Sequence, residues 1–270
     1  MKHLQDILYE GILNIDGNIK KGPNFKGAIK KFLKDNYKGA STCKIRKDLN
    51  PDGKYIVDSM GSMEVKNRNI DSLTNDLFVF GNIKYNFSCY GCDSLTSLEG
   101  TPKEVGGDFS CACCNSLTSL EGVPEKVGGN FDCYMCNSLS TLKGAPKEIK
   151  GNFDCTQCIS LTSLEGAPEI IDGNFNCDDC NSLTTLVGSP KIIKGSFNCA
   201  RCNLLTSLEG VPEKIGQNFN CMDCQSLTTL MGSPKKVGGY FCCYYCNSLT
   251  SLEYAPKYIH GEFLKPEHLK

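Results

Sequence analysis

The polar and apolar positions of this chain repeat every 22 residues from Phe87 onward. Phenylalanine sets the phase at positions 87, 109, 131, 153, 175, 197, 219 and 241, and Phe263 opens a ninth, truncated copy. Each unit reads, with few departures, F-x-C-x-x-C-x-S-L-T-S-L-E-G-x-P-x-x-[IV]-x-G-x. Phe109 and Cys111 alternate with Asp108, Ser110 and Ala112, the period of two that predicts a short half-buried strand. Cys114, Leu117 and Leu120 follow at spacings of three, which fits a turn and a run across the far side; Gly122 and Pro124 then punctuate the chain before Val127. The second residue after the Val or Ile is Gly in seven of eight units, Gln217 being the exception, which predicts either a positive φ or close stacking of backbones there. An unbroken period of this length predicts a solenoid whose units touch only their neighbours. Parallel strands about 4.8 Å apart would make nine rungs a rod of roughly 40 Å.

Upstream of the array the pattern changes. Leu4, Ile7, Leu8 and Ile12 predict one amphipathic helix, and Phe25, Ile29, Phe32 and Leu33 predict a second, starting after Pro23. The stretches 44–47 and 54–57 flank an Asn-Pro-Asp-Gly turn at 50–53 and read as a hairpin. Met63, Val65, Ile70 and Leu73 look like a degenerate first rung, and Phe80 and Ile83 lead into the first regular unit. The expected layout is a capping domain over residues 1–62, a degenerate repeat over 63–86, eight repeats over 87–262 and a tail over 263–270. A solenoid needs a cover over its terminal core, and the first segment supplies one. At the other end, Phe263, Leu264 and Leu269 could fold over the last rung; an uncovered strand edge there would invite pairing with a second copy as a homodimer.

The string Phe109-x-Cys111-x-x-Cys114-x-x-Leu117 resembles the second half of the leucine-rich-repeat signature. It departs upstream, where Val105 stands four residues before Phe109 rather than three. The block S-L-T-S-L-E-G-A-P and the stretch 61–74 are similar to 22-residue repeats of uncharacterised phage and bacterial proteins. This resemblance implies an α/β class: a leucine-rich-repeat-like solenoid with a parallel β-sheet, capped by a small N-terminal α+β domain. It carries no catalytic residues.

Composition narrows the function classes. The net charge of −1 gives no whole-chain field toward nucleic acid or membrane. No apolar run is long enough to span a bilayer, and Asp6 and Glu10 interrupt the first apolar stretch, which does not read as a signal peptide. A cytoplasmic protein is the expectation. The three histidines, His3, His260 and His268, are far apart in sequence, and no nucleophile–base pair, phosphate loop or carboxylate constellation stands out. The chain reads as a non-enzyme. Residues 17–47 hold ten Lys or Arg against one acid, Asp35. That run reads as the wet side of a capping helix, with nucleic acid or an acidic protein as the alternative partner.

Sixteen of the nineteen cysteines form eight C-x-x-C pairs: Cys89/Cys92, Cys111/Cys114, Cys133/Cys136, Cys155/Cys158, Cys177/Cys180, Cys199/Cys202, Cys221/Cys224 and Cys243/Cys246. Without a secretory signal a disulfide framework is not expected. Stacked pairs could offer four thiolates to zinc or an iron–sulfur cluster. The competing reading is core packing, with the second Cys acting as a weak S–H donor in the turn. Two considerations favour packing and no cofactor. A uniform repeat selects no particular rungs as a closed site. Sulfurs at ~4.8 Å strand spacing stand too far apart for Zn–S bonds of ~2.3 Å. Cys113 and Cys242 are expected at outward strand positions.

Eight copies of one unit are an internal comparison. The two residues between the paired cysteines vary most: Tyr90, Tyr134, Met135, Asp178, Asp179, Arg201, Met222, Asp223, Tyr244 and Tyr245 are among them. The residue before the first Cys adds Asp132 and Asp154. These side chains predict a protein-binding strip on the concave face, acidic in the middle and tyrosine-rich toward both ends. Lys and Glu alternate after each Pro, as in Lys103-Glu104 and Glu125-Lys126, and read as a solubilising surface.

Overall fold

A computed structural model describes residues 25–66, 68–75 and 77–269; the helix expected around Leu4–Ile12 lies outside them. The chain is a parallel β-solenoid of about nine turns. From Phe87 onward each turn contributes two strands of two residues, and each strand joins its own sheet, so two 11-stranded sheets run the length of the rod. In the turn of Phe131, Lys126–Val127 lies in one sheet and Phe131–Asp132 in the other. Registers are in step with the period: Phe131 pairs with Phe109 and Phe153, and Ile149 with Val127 and Ile171.

The expected α/β class is corrected to mostly β. Among the described residues the one α-helix, α1 (Phe25–Asn36), is N-terminal, and no helix flanks the turns. The four-residue step from Val105 to Phe109 explains the difference. Val105 ends one strand, Gly106-Gly107-Asp108 turns the corner, and Phe109 begins a strand of the second sheet. A Cβ at Gly129 would meet Asp108 Oδ1 at 2.4 Å and the Gly107 carbonyl carbon at 2.8 Å. Close stacking, and not a left-handed backbone, therefore keeps this position Gly.

The core is a set of ladders. Ring centroids from Phe87 to Phe263 follow one another at 5.1 to 6.0 Å. Leu117, Leu120 and their counterparts as far as Leu249, and both cysteines of every pair, are fully buried beside them. One turn alone has no partner for its inward side chains; stacking removes them from water at about 25 cal/mol per Å² of apolar surface.

At the N-terminal end the ladders meet antiparallel strands. β1 (Tyr37–Lys38) pairs antiparallel with β4 (Met63–Val65), and β2 (Cys43–Leu49) with β3 (Tyr55–Ser59). β3 and β4 then pair in parallel with β5 (Phe78–Ile83) and β6 (Phe87–Ser88). The hairpin and degenerate first rung expected from the sequence are thus continuous with the two sheets. Helix α1 lays Ile29, Phe32 and Leu33 on this end, with Phe32 edge-on to Phe78 at 5.9 Å. At the other end Phe263 and Leu269 pack partly against the core, His268 Nε2 lies 2.8 Å from the Leu249 carbonyl, and Leu264 stays exposed.

Candidate binding strip

The variable residues sit at the corner that follows the phenylalanine sheet. The first row, before the first Cys, shapes this corner. Asp132 Oδ1 accepts from the Tyr134 N–H at 3.0 Å, Asp154 Oδ1 from Thr156 at 2.9 Å, and Asn220 Oδ1 from Met222 at 3.0 Å. These are Asx turns, so Asp132 and Asp154 have a structural task that the sequence reading did not assign. Asp132 stands directly beside Asp154 across the sheet. Burial pushes its carboxyl above the ordinary range, and the Asp154 charge adds to this.

The second row holds Tyr90, Tyr134, Asp178, Met222 and Tyr244, with Ala112 and Ala200 buried between them. In the third row the backbone is left-handed in every turn: Gly91, Cys113, Met135, Gln157, Asp179, Arg201, Asp223 and Tyr245 have φ between 54° and 68°. Each N–H of this row up to Asp223 donates to a carbonyl of the next turn, for example Met135 to Thr156 at 2.9 Å and Asp223 to Tyr244 at 2.9 Å. The hydrogen-bond ladder thus continues around the corner, and the side chains are turned outward.

Arg201 bridges the middle of the strip, pairing with Asp178 and placing Nε 3.2 Å from Asp179 Oδ2. Asp178 Oδ1 is buried without a hydrogen-bond partner. Burial raises the Asp178 carboxyl pKa; Arg201 opposes the shift, and Asp179 and Asp154 add to it. At the ends Tyr90 lies under the Arg68 guanidinium at 5.3 Å, and the Tyr244 and Tyr245 rings meet at 4.2 Å. The acidic middle and the aromatic ends are therefore brought onto one face. Cys113 is half-buried on it, whereas Cys242 is corrected to a buried position, 5% exposed.

Beneath the strip the thiols act as hydrogen-bond donors. Each second cysteine from Cys114 to Cys246 donates to the carbonyl of the first cysteine one turn back, over 3.0 to 3.3 Å. First cysteines reach forward: Cys133 donates to Asp154 O at 3.3 Å and Cys155 to Asn176 O at 3.2 Å. Burial pushes the thiols of Cys133, Cys155, Cys177, Cys199 and Cys221 well above their ordinary value, whereas hydrogen bonds from their neighbours lower those of Cys114 and Cys246.

The sequence offered the same sulfurs as alternative ligands for zinc or an iron–sulfur cluster. Among the described residues no three His, Cys, Asp or Glu side chains form a group that could hold a metal ion. Cys136, Cys180 and Cys202 are fully buried, and each sets its sulfur on the backbone carbonyl of Cys111, Cys155 or Cys177 at 3.2, 3.2 and 3.1 Å. Cys89, Cys92, Cys158, Cys224 and Cys243 are fully buried in the same two columns.

A second polar ladder went unread in the sequence. The residue before each Phe accepts from the N–H of its counterpart one turn on: Asn86 from Asp108, Asp108 from Asn130, Asn130 from Asn152, and so on to Asn218 and Tyr240, at 2.7 to 3.2 Å. Its only signal was a column of Asn, Asp and Ser before Phe. No family profile, curated protein or solved structure matches the chain. Among the described residues no helix is long and apolar enough to cross a membrane.

Proposed function

We propose that the chain is a non-enzymatic scaffold that binds a protein partner along the strip from Tyr90 to Tyr245. The observation that carries this reading is the third row. A left-handed backbone favours Gly, and a non-Gly residue there costs of order 1 kcal/mol. Seven successive turns nevertheless carry a side chain, and Cys113, Met135, Gln157, Arg201 and Tyr245 lack even the tolerance of Asp for this conformation. A solvated corner drifting without constraint would collect Gly and Asn. Retention of large and varied side chains at a strained position fits selection for what they touch. Tyrosine, Met and Arg are also residues enriched at protein interfaces.

The finer reading rests on the motif resemblance alone: kinship with leucine-rich repeats, and a phage-encoded protein acting in the cytoplasm on a host or defence protein. The test is affinity capture with the wild-type chain and a variant carrying Gly at Met135, Gln157, Asp179, Arg201 and Asp223. A partner held by the wild type and released by the variant, with both equally folded, is the expected result. A partner held equally by both would remove the strip from the account.

A further inference from the structure

Lysines on this protein fall into two populations. Along the rod many are matched across neighbouring turns: Lys126 with Glu104 at 3.1 Å, Lys143 with Glu121 at 3.0 Å, Lys191 with Glu169 at 2.8 Å and Lys194 with Asp172 at 2.8 Å. Lys38 and Arg46 in the cap are matched as well, with Glu64 and Asp58. Helix α1 differs. Lys26, Lys30, Lys31 and Lys34 are exposed on it, and none forms an ion pair among the described residues; Lys26 Nζ lies over the Tyr55 ring at 5.8 Å. Lys26, Lys30 and Lys34 follow at i, i+4 spacing, about 6 Å apart along the axis, where like charges destabilise a helix. Asp35 is its one acid. Residues 17–47 carry ten basic side chains and one acid in a protein of net charge −1, so the rest of the chain holds the opposite excess.

We propose that the outer face of α1 docks on the phosphate backbone of nucleic acid without reading its sequence. Three features select this partner. Lysine is among the residues depleted from protein interfaces, where Arg and aromatic residues are enriched, but it serves phosphate as a point charge. The apolar side of α1 is already spent, with Ile29, Phe32 and Leu33 buried against the solenoid, so nothing remains to enter a lipid surface as an interfacial helix does. The helix carries no Arg to read base edges, and burial keeps the Phe32 ring from stacking on them. This surface is independent of the strip.

The test is fluorescence anisotropy of a labelled 20-base-pair duplex of mixed sequence, titrated with the full chain between 50 and 200 mM salt. Four phosphate contacts predict a slope of log K against log salt near −3.6, a loss of roughly a hundredfold over that range. Lys30→Gln should reduce the slope by about 1. The variant K26Q/K30Q/K31Q/K34Q should abolish binding while its circular dichroism and melting stay those of the wild type. K126Q/K143Q, on the matched rod lysines, should bind as the wild type does. Absence of binding at 50 mM salt would overturn the proposal, as would an unchanged slope in Lys30→Gln or equal losses in the two multiple variants. Tighter binding to poly-glutamate or phosphatidylserine vesicles than to the duplex would overturn it in favour of those partners.

Discussion

Two rows of the solenoid share a left-handed backbone and have opposite sequences. One, at Gly100, Gly122, Gly144, Gly166, Gly188, Gly210 and Gly232, is glycine through seven turns. The other, on the strip, is glycine once, at Gly91, and then never again. The difference is what lies behind the Cβ. At Gly166 an added Cβ would stand 2.4 Å from the Lys143 nitrogen and 2.6 Å from the Leu142 carbonyl carbon, both backbone atoms of the turn before. At Gly91 it would meet nothing closer than the Arg68 side chain at 3.7 Å. The glycine row is therefore fixed by stacking. The strip row is free to choose, and it chooses side chains against the backbone preference. Tyr254 continues the glycine row at φ 66° as its one side chain, and nothing in the structure explains that exception.

The largest effect that could break this contrast is at the stacked row. Gly166→Ala combines left-handed strain with a backbone clash that only separation of two turns can relieve, so a loss of about 3 kcal/mol or more is expected. Urea unfolding measures it. A loss under about 1 kcal/mol, the cost of the left-handed backbone alone, would mean that the turns are not packed as closely as this.

A second test uses the one break in the glycines of the sheet corner. Gln217 replaces Gly in the turn where the ladder residue beneath is Ser196; the other corners stack on Asn or Asp, save the last, where Gly261 follows Tyr240. Where Asn lies beneath, its amide oxygen would stand 2.1 to 2.5 Å from a Cβ, as Asn218 does under Gly239 and Asn174 under Gly195. The shorter serine makes room and still accepts the Asn218 N–H at 3.2 Å. Ser196→Asn should cost about 1–2 kcal/mol through overpacking. Adding Gln217→Gly should recover most of it, a coupling of about 1 kcal/mol in a double-mutant cycle. Additive effects would show the pairing to be coincidence.

How much of this was legible in the sequence follows from the range of each interaction. Phe, Leu and Cys recur at fixed phase and point inward, so the solenoid and its core could be read directly. The second sheet could not. Each of its strands in the repeats, such as Glu104–Val105, points a single Val or Ile inward, with no second apolar residue to display a period of two, and the Gly-Gly step before Phe109 looked like a departure from a known signature. The strip could be read as a column of variable residues. Its left-handed backbone was hidden because Met135 or Arg201 carries none of the Gly or Asn signal that marks positive φ. The task of Asn130 depends on a backbone N–H 22 residues away, at Asn152, and no local pattern announces that.

At the strip row the expected sign reverses. Gln157 makes one long contact, 3.5 Å to Asp179, so Gln157→Gly should relieve strain and stabilise the fold by up to about 1 kcal/mol. Glycine also gains freedom in the unfolded chain, which moves the result toward neutral. Thermal unfolding beside Gly166→Ala decides it. A clear loss at Gln157 would show that the side chains of this row hold the solenoid together, and the argument that they serve a partner would lose its foundation.

The smallest effect separates the strip's charges from its scaffold. Asp132 caps a turn with one oxygen, accepts from the Ser110 hydroxyl at 3.2 Å with the other, and faces Asp154 in register. Like charges opposite one another on a sheet cost about 0.2–1 kcal/mol, and Asn fills the same position in three later turns, at Asn176, Asn198 and Asn220. Asp132→Asn keeps the cap and removes the repulsion, so a gain within that range is expected near neutral pH. The pH dependence gives the sign. Burial raises the folded carboxyl above its unfolded value, so the folded state binds the proton more tightly. Wild-type stability should therefore fall as pH rises through the ordinary carboxylate range to the raised folded value. The variant should lose this component, and its advantage should vanish in acid. A variant less stable than wild type at neutral pH would mean that the Asp132 charge is held by a favourable contact, and the acidic middle of the strip would then belong to the scaffold rather than to a partner.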